Sequence, residues 1–445
     1  MKIRISKNKA IFVIFSIILV LFSTTGALMD YILPNNVIRF LLFLILFTII
    51  LFYGFLLTRK VNSWNFIFLV LMGLTFFNRN YYVETEVWFI VLLYLACLLL
   101  CLLSEKYGEW INSYLKIAVV VYIIHAVCTV AFYFMPSLYL NHVVHLFPDM
   151  ERRLIAWYND GCMAGLTNHY STNGMFLATG LIISISFLLK NHKKKVCQYC
   201  ITFFILIALF LTGKRGHIVF ALAATFIGYY FYTIDNKRTR LFKIVGILLG
   251  FSCLAILLFI LFPAASNFIV RFQESIDAGN ISNNRFMFWG LAWKLFKENI
   301  FLGIGWGQFQ VHSTNILLYT AHVHNTYIQL LCETGLIGAL IYYGWMICNI
   351  VSTIKIFIDI RRCDLKENDT INSHMMFSLC FQVFFLMYCL TGNPLYEREM
   401  FVPYFCACAI NIYYRKIVKK KLFGEQQKSM NIGEMDEKGK ECRII

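Results

Sequence analysis

Runs of apolar residues alternate with short polar segments along almost the whole chain. A helix needs about 20 apolar residues to cross a bilayer, so each run approaching that length is a predicted span. These runs are 10–29, 37–57, 66–77, 87–103, 115–135, 171–189, 196–212, 218–234, 242–262, 326–350, 373–390 and 400–414. The run 66–77 is the shortest, which leaves open whether it crosses fully. The pattern predicts an all-α, polytopic membrane protein with about twelve transmembrane helices.

Composition agrees with this prediction. Of 445 residues, 59% are hydrophobic and 14% are charged, whereas soluble domains carry about 25% charged residues. A water-soluble fold is therefore excluded. The net charge of +16 comes from Lys and Arg between the apolar runs, and a nucleic-acid-binding protein would instead collect them on one soluble face. We therefore expect no nucleic-acid partner.

The distribution of Lys and Arg also predicts the orientation, since these residues favour cytoplasmic loops. Most of them fall on the inner side if the N-terminus is cytoplasmic, with the strongest anchors at 190–195, 237–243, 355–366 and 415–421. Both termini are then cytoplasmic. The two longest loops, 136–170 and 263–325, lie on the outer face.

This topology divides the chain into six regions. They are an N-terminal five-helix region 1–135, an outer loop 136–170, central spans 171–262, a large outer loop 263–325 with the candidate motifs, C-terminal spans 326–414 and a cytoplasmic tail 415–445. In the large loop, aromatic residues recur at helical spacing: Phe286, Trp289, Trp293 and Phe296. They predict an amphipathic helix that lies in the membrane interface or packs on the protein's own helices.

The fifteen cysteines do not indicate a disulfide framework, because nearly all lie in apolar runs or predicted cytoplasmic loops. Cys162 in the first long outer loop has no obvious partner. Cys197 and Cys200 have the spacing of a redox or zinc pair, but no second pair accompanies them. We expect no metal site.

The first candidate cluster is the turn 211–217, which contains Lys214 and Arg215. The predicted topology puts both cations on the outer face, where the positive-inside bias disfavours them. They therefore suggest an anionic partner, since the planar guanidinium of arginine binds phosphate oxygens bidentately. The alternative is that both side chains reach toward outer lipid headgroups.

The second cluster leads from Arg285 through the amphipathic helix to Gly303, Gly305 and Gly307. The glycine spacing differs from the dinucleotide fingerprint and no strand precedes it, so nucleotide binding is rejected. A turn of this kind lets the backbone approach closely to neighbouring helices or to a ligand.

The third cluster, 321–338, contains His322, His324, Asn325 and Glu333, and Thr326 and Gln329 fit a capping box that would begin a helix. The positive end of that helix disfavours imidazolium, so His324 would be neutral and able to take a proton from a hydroxyl. An acid such as Glu333 in a membrane helix marks function or a satisfied internal pair. The simpler alternative is a histidine that is hydrogen-bonded near the interface.

In their order, these clusters resemble the O-antigen ligase and polymerase superfamily of bacterial surface-polysaccharide assembly. Its members share an L-T-x-S-R-G turn, an Arg before a Trp-containing segment that ends in G-x-G-x-G-x-F, and a signature that begins H-N and ends in E-x-G-x-x-G. The corresponding segments are 211–216, 285–309 and 324–338. Lys214 replaces the usual Ser, and Gln329 stands at a usually apolar position, which a capping role would explain.

The resemblance implies the GT-C type glycosyltransferase class and a metal-independent, cofactor-free, inverting transfer. Glycan would pass from a polyprenyl (undecaprenyl) diphosphate carrier to an acceptor sugar hydroxyl at the outer face of the bacterial cytoplasmic membrane. His324, Arg215 and Arg285 would be catalytic, as the base and the two diphosphate-binding cations. The implied substrate-binding residues are Lys214, His322, Asn325, Glu333, Gly303, Gly305 and Gly307.

The implied partners are the lipid-linked oligosaccharide, the acceptor glycan, the bilayer and, as candidates, flippase and chain-length regulator proteins. The motifs do not separate a polymerase of capsule or O-antigen repeat units from a ligase that transfers finished glycan, for example to lipopolysaccharide. A composition typical of AT-rich genomes favours the polymerase, because such bacteria often make capsules. A transporter or flippase is the rival class, but it predicts charged midplane residues and half-chain repeats. His125 is the clearest polar residue deep in a span, and the halves do not resemble each other.

Overall fold

The computed structural model describes residues 7–24, 63–76, 85–189, 195–233 and 284–441, together with positions 45 and 48. No strand occurs among these residues. Short helical turns lie between 136 and 150 and at 364–367. The helices are α1 (Lys7–Thr24), α2 (Ser63–Phe76), α3 (Thr85–Leu103), α4 (Glu109–Phe134), α5 (Glu151–Asn159), α6 (Tyr170–Leu188), α7 (Lys195–Leu211), α8 (Arg215–Tyr232), α9 (Arg285–Glu298), α10 (Gln308–Leu317), α11 (Thr326–Arg362), α12 (Asp369–Tyr388) and α13 (Arg398–Glu441).

Among the described residues, α4, α6, α11 and α12 are long and apolar enough to cross a membrane. Three shorter apolar helical segments accompany them: Ala10–Thr24 of α1, Tyr94–Leu103 of α3 and Lys195–Leu211, which is α7. The chain is therefore a helical membrane protein. The predicted spans 37–57 and 242–262 lie outside the described residues, so a total of twelve crossings stays a prediction. The last helix continues to Glu441, so the predicted tail 415–445 begins inside a helix.

Helix α12 lies at the centre of the bundle and packs against α6, α8, α11 and α13. Two of its polar side chains donate hydrogen bonds to neighbouring helices. Gln382 Nε2 donates to Thr353 Oγ1 at 2.8 Å, and Ser378 Oγ donates to the Ala407 carbonyl at 2.6 Å. Such bonds hold helices together where water is absent. They join the middle of α12 to α11 and α13.

Helix α11 is interrupted at Gly335, whose φ of 65° and ψ of −171° are not helical. The loop around Phe301 and Gly303 docks against the break, and its backbone replaces the lost helical bonds: Ile304 N to Cys332 O (3.0 Å), Gly305 N to Glu333 O (2.8 Å) and Leu336 N to Ile300 O (2.7 Å). A Cβ on Gly303 would lie 2.4 Å from the Glu333 carbonyl carbon, and one on Gly335 would lie 2.3 Å from the Phe301 oxygen. Glycine is required at both positions.

The start of α11 at Thr326 agrees with the sequence, but the predicted capping box is wrong. Asn325 is the cap, and its Oδ1 accepts a hydrogen bond from Ile328 N at 3.1 Å. The Thr326 hydroxyl instead donates to the Gly392 carbonyl at 3.0 Å. Gln329 Oε1 accepts from Val323 N at 3.3 Å. Asn325 has the extended backbone of a capping residue (φ −155°, ψ 107°), whereas Thr326 is already helical, so the asparagine takes the capping role.

The predicted amphipathic helix is α9, and it has two apolar faces. Its inner face packs on the chain through residues that belong to one buried cluster: Phe288, Ala292 and Leu295. Two of the four residues of the predicted aromatic stripe point away from the protein, Phe286 being 69% and Trp293 48% exposed, whereas Trp289 packs on the buried cluster. The helix is thus anchored to its own protein and still presents aromatic rings outward, as an interfacial helix does.

Candidate active site

Cations from two of the sequence clusters meet the histidine of the third. Lys214 precedes α8, Arg285 begins α9 and His324 lies just before α11. The charges of Lys214 and Arg285 act on each other and on His324. Arg215 begins α8 beside Lys214 and is half-buried. The folded chain therefore brings together groups that lie more than 100 residues apart in the sequence.

His324 is held in an unusual backbone conformation beside these cations. Its φ is 55°, in the left-handed region, which histidine, asparagine and aspartate enter more readily than most residues. Desolvation lowers the pKa of His324 to about 4, and Arg285, His322 and Lys214 contribute to the shift, although part of the side chain is open to the surface. The imidazole is therefore neutral at pH 7. A neutral ring can accept a proton.

His322 is bound within the chain. Gln310 Nε2 lies 2.7 Å from His322 Nε2, so the amide donates and the ring proton is on Nδ1. This Nδ1 is buried without a hydrogen-bond partner among the described residues. Burial lowers the pKa of His322 to about 4. His322 is thus a second neutral histidine near the candidate base.

Glu333 connects the glycine turn to the loop that follows α12. Its carboxylate accepts hydrogen bonds from Gly307 N (2.8 Å), Phe309 N (3.2 Å), Gln329 Nε2 (3.1 Å) and the Tyr396 hydroxyl (2.7 Å). The side chain is completely buried. Glu333 therefore holds surrounding segments in place. Asn325 is used similarly, as the cap of α11 and through its Nδ2, which donates to the Leu390 carbonyl at 3.3 Å.

We expect Glu333→Gln to destabilise the protein. All four partners of the Glu333 carboxylate are hydrogen-bond donors. The side-chain amide nitrogen of glutamine is also a donor, so it would face donors in place of the acceptor that they lose. Each buried donor left without an acceptor costs about 1–3 kcal/mol. Thermal unfolding in detergent should show a lower melting temperature for Glu333→Gln, while Glu298→Gln, at an exposed carboxylate in α9, should leave it unchanged. Equal melting temperatures would contradict the anchoring role.

The sequence interpretation missed Glu397, which lies between α12 and α13. The Tyr388 hydroxyl donates to Glu397 Oε2 at 3.4 Å, and the carboxylate attracts Lys214. Burial and, to a lesser extent, nearby Glu399 raise the pKa of Glu397 to about 7, against the opposing effect of Lys214. The sequence contains one feature that could have indicated Glu397: acidic residues follow a short polar turn on the predicted outer face. Its proximity to Lys214 depends on how α8 packs against α12, which no local pattern records.

His169 is the other missed residue. It precedes α6 as its cap, and its Nδ1 accepts a hydrogen bond from Ser171 N at 2.9 Å. Burial lowers the pKa of His169 to about 3, and the charges of Lys214, Arg153 and His324 contribute. The site is therefore bordered by residues from before and after the three motifs. Within the described parts of the chain, no group of three or more His, Cys, Asp or Glu side chains is placed to hold a metal ion.

Comparison with known proteins identifies one domain. Residues 200–343 match the family model described as O-antigen ligase. This stretch contains Lys214, Arg215, Arg285 and His324, whereas His169 and Glu397 lie outside it. No curated protein matches the chain.

Proposed function

With an O-antigen ligase domain at residues 200–343, which makes this chain a member of the O-antigen ligase and polymerase superfamily, we propose that it polymerises surface-polysaccharide repeat units. Glycan moves from an undecaprenyl diphosphate carrier to an acceptor sugar hydroxyl at the outer face of the bacterial cytoplasmic membrane. The observation that carries the proposal is the neutral His324 beside Lys214 and Arg285. A base and two cations are what transfer from a diphosphate requires.

In this reaction, His324 accepts the proton of the acceptor hydroxyl as its oxygen attacks the anomeric carbon. The bond between that carbon and the diphosphate oxygen breaks, and the configuration inverts. The negative charge that develops on the departing lipid diphosphate is stabilised by Arg285, Arg215 and Lys214. Because these cations neutralise the leaving group, the proposed transfer proceeds without a metal ion.

Glu397 tunes the charge of the same site. Its carboxylate attracts Lys214, so it offsets part of the positive charge of the site before the substrate arrives. A bound diphosphate offers Lys214 a stronger anionic partner. The raised pKa of Glu397, about 7, lets it take up a proton near neutrality and so reduces repulsion of the incoming diphosphate.

A reconstitution experiment tests the proposal and separates its rivals. The purified protein in detergent is given polyprenyl-diphosphate-linked repeat units alone, with and without EDTA. A ladder of longer lipid-linked glycans, unchanged by EDTA, is the expected result. Extension only after a separate acceptor is added would identify a ligase. No transfer under either condition would contradict glycosyl transfer and favour transport of the lipid-linked oligosaccharide.

A further inference from the structure

Three aromatic rings gather where the segment before α6 meets the candidate site. The ring centroids of Trp157 and His169 are 4.4 Å apart, those of Trp157 and Tyr170 are 5.0 Å apart, and those of His169 and Tyr170 are 4.7 Å apart. All three side chains are half-buried. We call Trp157, His169 and Tyr170 the aromatic wall.

The aromatic wall borders the reacting groups. Lys214 Nζ lies 4.8 Å from the centroid of the Tyr170 ring, a cation–π distance. The charges of Lys214 and His324 both contribute to the lowered pKa of His169. A molecule held against the wall would therefore lie beside the diphosphate-binding cation and the base.

His169 adds a fixed hydrogen-bond donor to the wall. Because its Nδ1 accepts from Ser171 N, the neutral ring carries its proton on Nε2. The lowered pKa, about 3, keeps the ring neutral over the physiological range. Nε2–H is thus a donor of fixed position, and the exposed cation of Arg153 is close enough for its charge to act on the ring.

The aromatic wall is supported by a buried apolar cluster. Trp157 and Tyr170 pack on one side against this cluster, which includes Tyr139 and Leu154. The neighbouring residue Tyr158 also packs there, and its ring stacks on Tyr139 at 5.4 Å. Adjacent positions of α5 therefore contribute differently: Tyr158 serves the apolar cluster, whereas Trp157 also contacts His169 beside the cations.

We infer that the aromatic wall is a binding subsite for a sugar ring of the glycan, an inference that rests on the proposed function. Ligand sites combine apolar and aromatic surfaces with a few placed polar groups. The C–H face of a pyranose packs on an aromatic ring, and its hydroxyls accept hydrogen bonds from donors such as His169 Nε2–H. The ring belongs either to the acceptor or to the first sugar on the lipid diphosphate, since both must meet beside His324.

Two variants and one control test this subsite. Trp157→Ala removes stacking surface. His169→Asn keeps a good helix cap but removes the Nε2–H donor. Tyr158→Leu, in the same helix, removes an aromatic ring that serves the apolar cluster. Initial rates are measured as a function of lipid-linked repeat unit and, separately, of free repeat-unit oligosaccharide released from the native polysaccharide. Melting temperatures are recorded for each protein.

We expect the two wall variants to raise KM by about tenfold with kcat changed much less, which is the signature of lost binding in ground and transition states alike. A higher KM for the free oligosaccharide assigns the subsite to the acceptor. A higher KM for the lipid-linked unit, with that of the free oligosaccharide unchanged, assigns it to the donor. Tyr158→Leu should change neither KM. If Trp157→Ala does not fold, His169→Asn decides alone.

Unchanged KM values for both substrates in folded wall variants would overturn the subsite and leave the proposed transfer intact. If the wild-type protein catalyses no transfer, binding of the free oligosaccharide is measured directly by calorimetry. About tenfold weaker binding to the wall variants than to Tyr158→Leu would then support the subsite despite failure of the proposed reaction, and equal binding would overturn it.

Discussion

Replacing His324 with asparagine is expected to lower the rate of glycan transfer by about 10²–10⁴-fold, the usual contribution of a general base. Asparagine is chosen because the φ of His324 is 55°, a conformation that asparagine tolerates and alanine does not. The variant should therefore fold normally and still bind the lipid-linked substrate through its cations. Single-turnover transfer and melting temperature are the two measurements.

His312→Asn provides the matched control, since His312 lies on α10, an element that carries none of Lys214, Arg285 and His324. It should transfer glycan at the wild-type rate. If His324→Asn also retains the wild-type rate, the base is another group.

The pH dependence of kcat/KM offers a test on the same residue, because this parameter reports ionisations of the free enzyme. The pKa of His324 is lowered to about 4, and only the neutral ring acts as a base. Activity that depends on His324 should therefore persist below pH 6.5 and fall as the pH approaches 4. Glu397→Gln is measured in parallel. In this variant, the carboxyl with a pKa of about 7 cannot obscure the acid limb, which is the fall of kcat/KM at low pH.

The sequence allowed the central groups of the site to be selected, because each lies in a compact motif. Lys214 and His324 could be assigned to one face from the alternation of spans, and the structure does bring them within electrostatic range. His169 could not be selected in this way. Its neighbours Trp157 and Lys214 reach it only through packing between distant helices, and nothing at position 169 marks a cap that also borders a site.

The same limit explains the break in α11. A glycine such as Gly335 within an apolar helix is consistent with an unbroken helix or with a kink. The choice is made by the loop at 300–305, whose backbone groups replace the helical hydrogen bonds. Likewise, the capping role predicted for Thr326 belongs to Asn325, whose backbone is extended where that of Thr326 is already helical. Local patterns give the start of a helix correctly, whereas competition from distant segments decides its internal bonds.

The second large effect is expected at Arg285, which the fold holds in a fixed relation to His324. Trp289 of α9 donates from Nε1 to the Val323 carbonyl at 3.0 Å, and Phe288 packs in a cluster that also contains Val323. The residue before His324 is therefore bonded to the helix that Arg285 begins. We expect Arg285→Gln to lower kcat/KM by about 10²–10³-fold, as the loss of a charge-stabilising donor does, and Arg285→Lys to lower it less.

A rate loss alone would not show that the guanidinium acts beside the base, but the pH profile would. Arg285 contributes to the lowered pKa of His324, so its replacement by glutamine should raise that pKa and move the acid limb of kcat/KM upward from about 4. Arg285→Lys keeps the charge and should keep the limb. Lys297→Gln removes an exposed cation from the same helix and should alter neither rate nor limb. A slow Arg285→Gln enzyme with an unmoved acid limb would mean that Arg285 binds diphosphate away from the base. A cation close enough to stabilise the leaving group beside His324 cannot be removed without changing the ionisation of His324.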